Sequence, residues 1–443
     1  MKKRLGLGLG GVLVVTGMLS GCGSAASGGN TSASSGGKTT ITYWSMWNPG
    51  EPQQVVLQDE INAFEKSHPN IQVQVEWDGR QVLNKVERAI SAGNPPDLTD
   101  QSGGETTGAL IAKNLATPID QLLQQDAYGS SKPLKDSFLG TTIDQYKFNG
   151  HYYFMPYEFI TGGIWYNKVL FNKYNLQPPT TWSQLVSLTQ QLKSHGVSPI
   201  ALDGQDSSYA AYWYNWLAAR VAGPDALLKA ASDPSGKAWS NPKLLQAAQM
   251  EEQLIQAGDF EPGYQGSVYP AAQTAWAQGK SGMILLMDWI TSETQKYAGS
   301  NFQYAMTPFP QVGSGKTTDM PSYLEGFVIP KNAPHLKATE TFLNWLMTPK
   351  HLQGISTKAL NFTDLKGDPT PSTLTSIEPT LKQATSFYDP HGGVYAKASG
   401  WTSSVYFPTN EEFIGGKLTP QQFITTLQQS TVQYLKAHNN SPE

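Results

Sequence analysis

Strand and helix patterns alternate near the beginning of this sequence, and their order is its strongest constraint on the fold. The stretches KTTITY (38–43) and IQVQVEW (71–77) predict β-strands, because the first is rich in β-branched residues and the second alternates apolar with polar residues. Residues 55–66 and 82–91 have helical periodicity, and a third strand ends at 97–100. This β-α-β-α-β order predicts an α/β fold with a mainly parallel sheet, in which ligands bind at the carboxyl ends of strands.

Length and composition predict two domains and argue against nucleic acid as a partner. The chain has 443 residues, and the roughly 400 that follow an N-terminal leader exceed the usual size of a single hydrophobic core. Arginine is scarce, and no basic run is interleaved with aromatic residues. Twelve tryptophans in a chain with only 15% charged residues need an explanation.

The N-terminus has the features of a secretory signal that ends at the only cysteine of the chain. Three cations (2–4) precede an uncharged stretch (5–19), and LSGC (19–22) resembles a bacterial lipobox. This pattern predicts a signal peptide over 1–21, a lipid on Cys22, and a flexible Ser/Gly/Ala linker over 22–37 that tethers the protein to the extracytoplasmic face of the cell membrane. An ordinary secreted protein with a stray cysteine in its signal is the alternative. A single cysteine also excludes a disulfide framework.

A set of short segments resembles the extracellular solute-binding proteins of ABC-type sugar importers, the maltose-binding-like group. The segments occur in the family's order over most of residues 38–350: ITYWSMWNPG, SHPNIQVQV, NPPDL, YYFMPYEFITGGIWYNKVLF, PPTTWSQL, AWAQGKSGMILLMDW, PFP, GFVIPKNAP and ATETFLNWLMTPK. The resemblance implies two α/β lobes with the ligand cleft between them. The resemblance also implies two partners, a carbohydrate ligand and the permease subunits of the transporter. It implies a monomeric receptor that delivers the carbohydrate to those subunits.

The chain crossings implied by the resemblance lie near Met155, Tyr304 and Met347. They divide the chain into an N-terminal lobe of 38–154 plus 304–347 and a C-terminal lobe of 155–303 plus 348–443.

Aromatic and planar polar side chains on loops are the expected ligand contacts. A sugar ring stacks its C–H face on an aromatic ring, and its hydroxyls form paired hydrogen bonds with planar polar groups. The positions at strand ends, in an aromatic-rich helix and in a late loop give these candidates: Trp44, Trp47, Asn48, Glu51, Asp100, Gln101, Tyr212, Trp213 and Trp401.

Further candidates follow from the resemblance. Tyr157 and Glu158 lie in a crossover segment where the family places residues that line the cleft. Trp289 follows Asp288 at the position of a Gly-Ser-Trp segment whose tryptophan stacks on sugar in the family. Tyr323 and Glu325 stand where the family often has a glycine-rich turn, a departure that implies a narrower cleft.

Two alternatives to a transport receptor stay open at the level of the sequence. A glycoside hydrolase needs only two suitably placed carboxyl groups, but no such pair lies in a recognisable segment. Neither a His-Glu-x-x-His helix nor a Gly-x-Ser-x-Gly turn is present, so we expect no enzyme activity, no metal and no cofactor. The other alternative is an adhesion module that holds polysaccharide without transport.

Overall fold

The computed structural model describes residues 37–140, 142–313, 319–384 and 386–442. The predicted signal peptide, Cys22 and most of the linker therefore lie outside the described residues. A compact unit begins at Lys38. None of the helices in the described part of the chain combines the length and the hydropathy needed to cross a bilayer.

The strands form one mixed sheet. Their bounds are β1 Thr39–Ser45, β2 Ile71–Trp77, β3 Leu98–Ser102, β4 Phe154–Asn167, β5 Ser198–Ala201, β6 Ser281–Met287, β7 Tyr304–Thr307, β8 Asp319–Val328, β9 Phe362–Thr363 and β10 Ser386–Tyr388. The order is β2-β1-β3-β8-β4-β6-β5, with β10 on β8 and with β7 and β9 on β4.

The three predicted strands at the beginning of the chain are confirmed, and β1 pairs in parallel with both β2 and β3. The expectation of a mainly parallel sheet is wrong at the centre. Strand β8 pairs antiparallel with both β3 and β4, and β4 pairs antiparallel with β6. The cause is the length of β4: its fourteen residues run through the middle of the sheet, and β8 returns beside it in the opposite direction.

Helices cover the sheet. Their bounds are α1 Pro52–Ser67, α2 Val82–Ser91, α3 Gly103–Thr106, α4 Asp120–Gln124, α5 Lys168–Lys173, α6 Trp182–Ser194, α7 Ser207–Ala222, α8 Ala226–Ala231, α9 Pro242–Ala257, α10 Ala271–Ala277, α11 Ile290–Thr294, α12 Leu336–Leu346, α13 Pro349–Gly354, α14 Glu378–Gln383, α15 Val394–Lys397, α16 Ser399–Trp401, α17 Phe407–Ile414 and α18 Pro420–Ala437. Asp206 fixes the start of α7, because its carboxylate accepts from the backbone N–H groups of Ser208 at 3.0 Å and Tyr209 at 3.1 Å.

Two hydrophobic cores lie along this sheet. The first contains Ile41 to Phe159 and Leu324 to Leu365, and the second contains Ile160 to Met320 and Leu374 to Leu427. Strand β4 passes from the first core to the second between Phe159 and Ile160, and β8 passes back after Met320. The two long central strands therefore connect the cores directly.

Core membership differs from the expected lobe boundaries at three places. Met155, Tyr157 and Phe159 pack in the first core, although the sequence placed 155–303 with the second. Ala305, Met306 and Phe309 pack in the second core, although the sequence placed 304–347 with the first. Leu352 and Ile355 pack in the first core, although the sequence placed 348–443 with the second. The physical reason is strand pairing: Tyr304–Thr307 joins β4 at its second-core end.

Candidate ligand-binding cavity

A cavity of about 810 Å³ lies between residues of the two cores. Ligand sites typically enclose roughly 300–1,000 Å³, so this cavity is large enough for a molecule that contains several rings. The lining includes Gln101 and Ser102 at the carboxyl end of β3, Trp289 just after β6, and Tyr323 and Glu325 on β8. Placement at strand ends agrees with the ligand position expected in α/β sheets.

One side of the cavity is built from rings, here named the aromatic wall: Tyr209, Tyr212, Trp289, Tyr323 and His391. The ring centroids of Trp289 lie 6.2 Å from Tyr209 and 6.1 Å from Tyr323. Tyr212 stacks on His391 at 4.9 Å with planes 26° apart. These rings pack on or within the second core, so burial holds them in a continuous surface.

Local sequence explains this wall. Tyr209 and Tyr212 are three residues apart on α7 and therefore share one helix face. Trp289 follows the fully buried strand β6, whose end places it at the cavity. Its indole Nε1 is buried and has no hydrogen-bond partner among the described residues, so a ligand oxygen could accept from it.

A second part of the lining, here named the polar wall, contains Arg80, Gln101, Ser102 and Glu105. Arg80 is its centre. The guanidinium donates from Nη1 to Glu51 Oε2 at 2.9 Å and from Nη2 to Glu51 Oε1 at 3.0 Å, and it lies 4.7 Å above the Trp47 ring. Burial tends to lower the pKa of Arg80, but the hydrogen bonds that it donates to Glu51, together with the nearby charges of Glu51 and Glu325, outweigh burial and raise that pKa.

The backbone also fixes Arg80. Its Nη1 donates to the Met46 carbonyl at 2.7 Å, and Gln101 Nε2 donates to the Arg80 carbonyl at 3.0 Å. A planar donor that is held on several sides presents its remaining N–H groups to the cavity in a defined direction.

Carboxyl groups form the floor of the cavity. Glu325 lines the cavity and is only 5% exposed, and it lies opposite Glu158 in the register of β8 and β4. Glu158 Oε1 accepts from Gln53 Nε2 at 3.0 Å. Burial raises the pKa of Glu158 to about 8 and raises the pKa values of Glu325 and Asp288 well above their usual range. Burial therefore favours the uncharged form of these three carboxyl groups.

Five of the residues proposed from the sequence line the cavity together: Gln101, Tyr212, Trp289, Tyr323 and Glu325. The others lie behind it, in the loop after β1, or in the cores. Two of these, Glu158 and Asp288, are fully buried beneath the floor.

In the loop after β1, Met46 lines the cavity, whereas the residues proposed from the sequence support it from behind. Trp47 and Glu51 hold Arg80, and the exposed Asn48 donates its Nδ2 to Glu51 at 3.2 Å. Behind this loop, Trp47 Nε1 donates to the Tyr157 hydroxyl at 2.7 Å, and that hydroxyl donates to Asp100 at 3.1 Å. Burial raises the pKa of Asp100 to about 6. These buried groups therefore fix the polar wall from behind.

Three tryptophans proposed as cleft residues lie away from the cavity. Trp44 donates its Nε1 to Glu76 at 3.0 Å under the ammonium of Lys85, on the other side of β1. Trp213 is buried in the second core, because one residue along a helix turns the side chain by about 100° from that of Tyr212. Trp401 is fully buried in the same core, where its Nε1 donates to the Thr431 hydroxyl at 3.0 Å.

Sequence reasoning missed several residues that line the cavity: Arg80, Glu105, Tyr146, Tyr209, His391 and Tyr395. Arg80 could have been found, since it follows β2 as Trp47 follows β1, and the carboxyl ends of parallel neighbours meet at one edge. Tyr209 shares the helix face of Tyr212. His391 and Tyr395 lie in the C-terminal part of the chain, where the family resemblance is weakest.

The model of the family "bacterial extracellular solute-binding protein" matches residues 48–352. This match covers more than half of the chain, and the chain belongs to that family. An uncharacterized ABC transporter extracellular-binding protein of Pyrococcus horikoshii is 26% identical over 448 residues, which cover 96% of this chain and 90% of that protein. The diacetylchitobiose binding protein NgcE of Streptomyces coelicolor is 26% identical over 299 residues, or 65% of this chain and 62% of that protein.

Solved structures share the fold. The bacterial solute receptor AcbH superposes with a TM-score of 0.75 at 18% identity, over 91% of this chain and 100% of that one. Apo RafE from Streptococcus pneumoniae superposes with a TM-score of 0.72 at 17% identity, over 89% of this chain and 98% of that one. The predicted two-lobed α/β fold is confirmed by these matches.

Proposed function

We propose that this protein is the substrate-binding component of an ABC transporter, and that it captures an oligosaccharide in the cavity and delivers it to the permease. The observation that carries this proposal is the pairing of an aromatic wall with a polar wall in one cavity of about 810 Å³. Relatives support the choice of ligand class, since one is a diacetylchitobiose binding protein and another is a multiple sugar-binding protein.

Each wall matches a different property of a sugar. The rings of Trp289, Tyr209 and Tyr323 offer flat faces for the C–H side of a pyranose, where burial of apolar area gives the affinity. On the other side, Arg80 donates to hydroxyl oxygens, and Gln101 and Glu325 accept from hydroxyl hydrogens. Because these polar groups are held in place before the ligand arrives, little ordering cost is added on binding.

Capture requires the two cores to act as two lobes. We place the lobe boundaries where β4 and β8 change cores, after Phe159 and before Leu324, with the C-terminal crossover between Leu365 and Leu374. A ligand that contacts both walls stabilises a closed arrangement by its differential affinity, and the permease recognises that arrangement. Small-angle scattering should show a smaller radius of gyration at ligand saturation, whereas an unchanged radius would favour a rigid adhesion module.

A lipid on Cys22 would hold this receptor at the extracytoplasmic face of the cell membrane as a monomer. The lipobox-like LSGC and the linker behind it support this assignment. Wild-type protein should partition into the detergent phase, and a Cys22→Ser variant should stay in the aqueous phase and still bind ligand. Equal partitioning of both into water would contradict the anchor.

A thermal-shift screen with neutral saccharides of one to four rings tests the binding function itself. A ligand at one hundred times its Kd adds about 2.7 kcal/mol to the free energy of unfolding, which is a clear shift in Tm. No shift with any saccharide would contradict the proposal. We propose no catalytic step, so the saccharide should be recovered intact, and slow cleavage that Glu325→Gln abolishes would favour a glycoside hydrolase instead.

A further inference from the structure

The carboxyl group of Glu325 is buried at the cavity. It reaches the lining although the side chain is only 5% exposed. Its Oε2 is buried and has no hydrogen-bond partner among the described residues. A buried acceptor without a partner is costly, and the residue that carries this one lines the cavity.

The groups behind Glu325 are acidic as well. Glu158 faces it across the β4–β8 register, and its Oε2 likewise has no partner in the described part of the chain. Asp288 is fully buried close enough to Glu158 for the two charges to repel. Three buried carboxyl groups therefore lie at or beneath the floor, and repulsion between their ionised forms adds to the cost of burying charge there.

The cations nearby do not balance this charge. Arg80 acts on both Glu158 and Glu325, but its guanidinium already forms two hydrogen bonds with Glu51. The two lysines on the cavity lining, Lys147 and Lys397, are exposed to solvent. A positively charged group brought by a ligand would therefore stabilise the ionised form of Glu325.

Aromatic faces stand beside the same position. Tyr323 precedes Glu325 by two residues on β8, and Trp289 follows Asp288 directly, with the two ring centroids 6.1 Å apart. An ammonium group gains from the face of a tryptophan or tyrosine ring and from a charge-assisted hydrogen bond to a carboxylate. A sugar that carries an amine would use both surfaces at once.

From this arrangement we infer that the bound saccharide carries a free, protonated amino group, which donates a hydrogen bond to the Glu325 carboxylate at the cavity floor. This inference rests on the proposed function and narrows its ligand to amino sugars. Burial raises the pKa of Glu325 and so favours its protonated form, whereas an ammonium beside it favours the carboxylate, with the proton released to solvent.

Calorimetric titration at neutral pH with three matched disaccharides tests the inference. Chitobiose has two free amines, N,N′-diacetylchitobiose has neutral amides at the same positions, and cellobiose has hydroxyls. We expect chitobiose to bind at least tenfold more tightly than the other two. Glu325→Gln, nearly the same in size but without a charge, should remove that preference. Asp225→Asn removes a charge from an exposed part of the lining and should leave the preference intact.

The possible failures are distinguishable. Equal or weaker binding of chitobiose, or a preference that survives in Glu325→Gln, overturns the inference and leaves the sugar-binding function standing. The same holds if all three disaccharides fail while another neutral saccharide binds. If no saccharide binds at all, the proposed function itself fails. If Glu325→Gln is unstable, the salt dependence of wild-type binding serves as the test instead. Salt screens the contact of a charged ammonium and not that of a neutral hydroxyl, so rising ionic strength should weaken the binding of chitobiose more than that of cellobiose.

Discussion

The two walls of the cavity are held in place by different forces. In the aromatic wall, rings are fixed because they pack on one another and on the second core. In the polar wall, Arg80 is fixed by hydrogen bonds to Glu51 and to the Met46 carbonyl, and by the Trp47 ring beneath it. The comparison teaches that one wall is a surface of the core, whereas the other is a hydrogen-bond network carried by loops after β1 and β2.

The largest expected effect comes from a ring that belongs to the core alone. Trp401→Ala should lower the free energy of unfolding by about 3–5 kcal/mol, the usual cost of truncating a buried tryptophan. Trp401 is fully buried and is not among the residues that line the cavity. Chemical unfolding and calorimetric titration would measure both quantities. An unchanged stability, or a large loss of affinity in protein that remains folded, would place Trp401 on the ligand.

The next effect concerns the aromatic wall. Trp289→Ala should weaken saccharide binding by roughly 1–3 kcal/mol, because a half-buried ring that faces a ligand contributes mainly to binding. Stability should change less than in Trp401→Ala, which serves as the matched control. If Trp289→Ala instead lost stability and kept its affinity, the aromatic wall would be core and not a binding surface.

The third effect is a pH dependence of stability at the strands that join the cores. Glu158 has a pKa of about 8 in the folded protein, well above that of an exposed glutamate. At pH values below the pKa of Glu158 in the unfolded chain, the carboxyl is protonated in both the folded and the unfolded protein, and its titration does not change the free energy of unfolding. As pH rises from about 4.5 towards 8, the unfolded chain releases the proton first, so wild-type stability falls by up to about 1.4 kcal/mol per pH unit.

Glu158→Gln removes this loss. The variant should therefore gain on the wild type in urea unfolding as pH rises from 5 to 8, whereas Glu412→Gln, at an exposed position, should not. If stability followed the same pH profile in wild type and Glu158→Gln, burial of the Glu158 carboxyl would carry no pH-dependent penalty. That result would contradict the prediction.

The sequence located the cavity better than it assigned the side chains around it. The order of strands and helices predicts which loops meet at the strand ends, and the loops that contain Trp47, Gln101 and Trp289 do meet there. Periodicity does not say which way a loop side chain turns, however. Trp47 therefore lies under Arg80, and Trp213 points into the core one residue away from Tyr212.

The centre of the sheet was harder to predict for a different reason. Nearly every residue of β4 is buried, so the strand lacks the alternation that reveals a half-exposed strand. Its partner β8 lies more than 150 residues further along the chain. The antiparallel pairing that brings Glu158 opposite Glu325 depends on this distant contact, and no local pattern encodes it.

The central claim is that a single saccharide contacts both walls, and one titration series tests it most directly. The tightest-binding saccharide is titrated into wild type, Trp289→Ala and Arg80→Gln, with one substitution on each wall. Each variant should bind at least about fivefold more weakly, or about 1 kcal/mol, while its Tm stays close to that of wild type. Unchanged affinity in either folded variant would mean that the ligand uses one wall only, and would contradict the account.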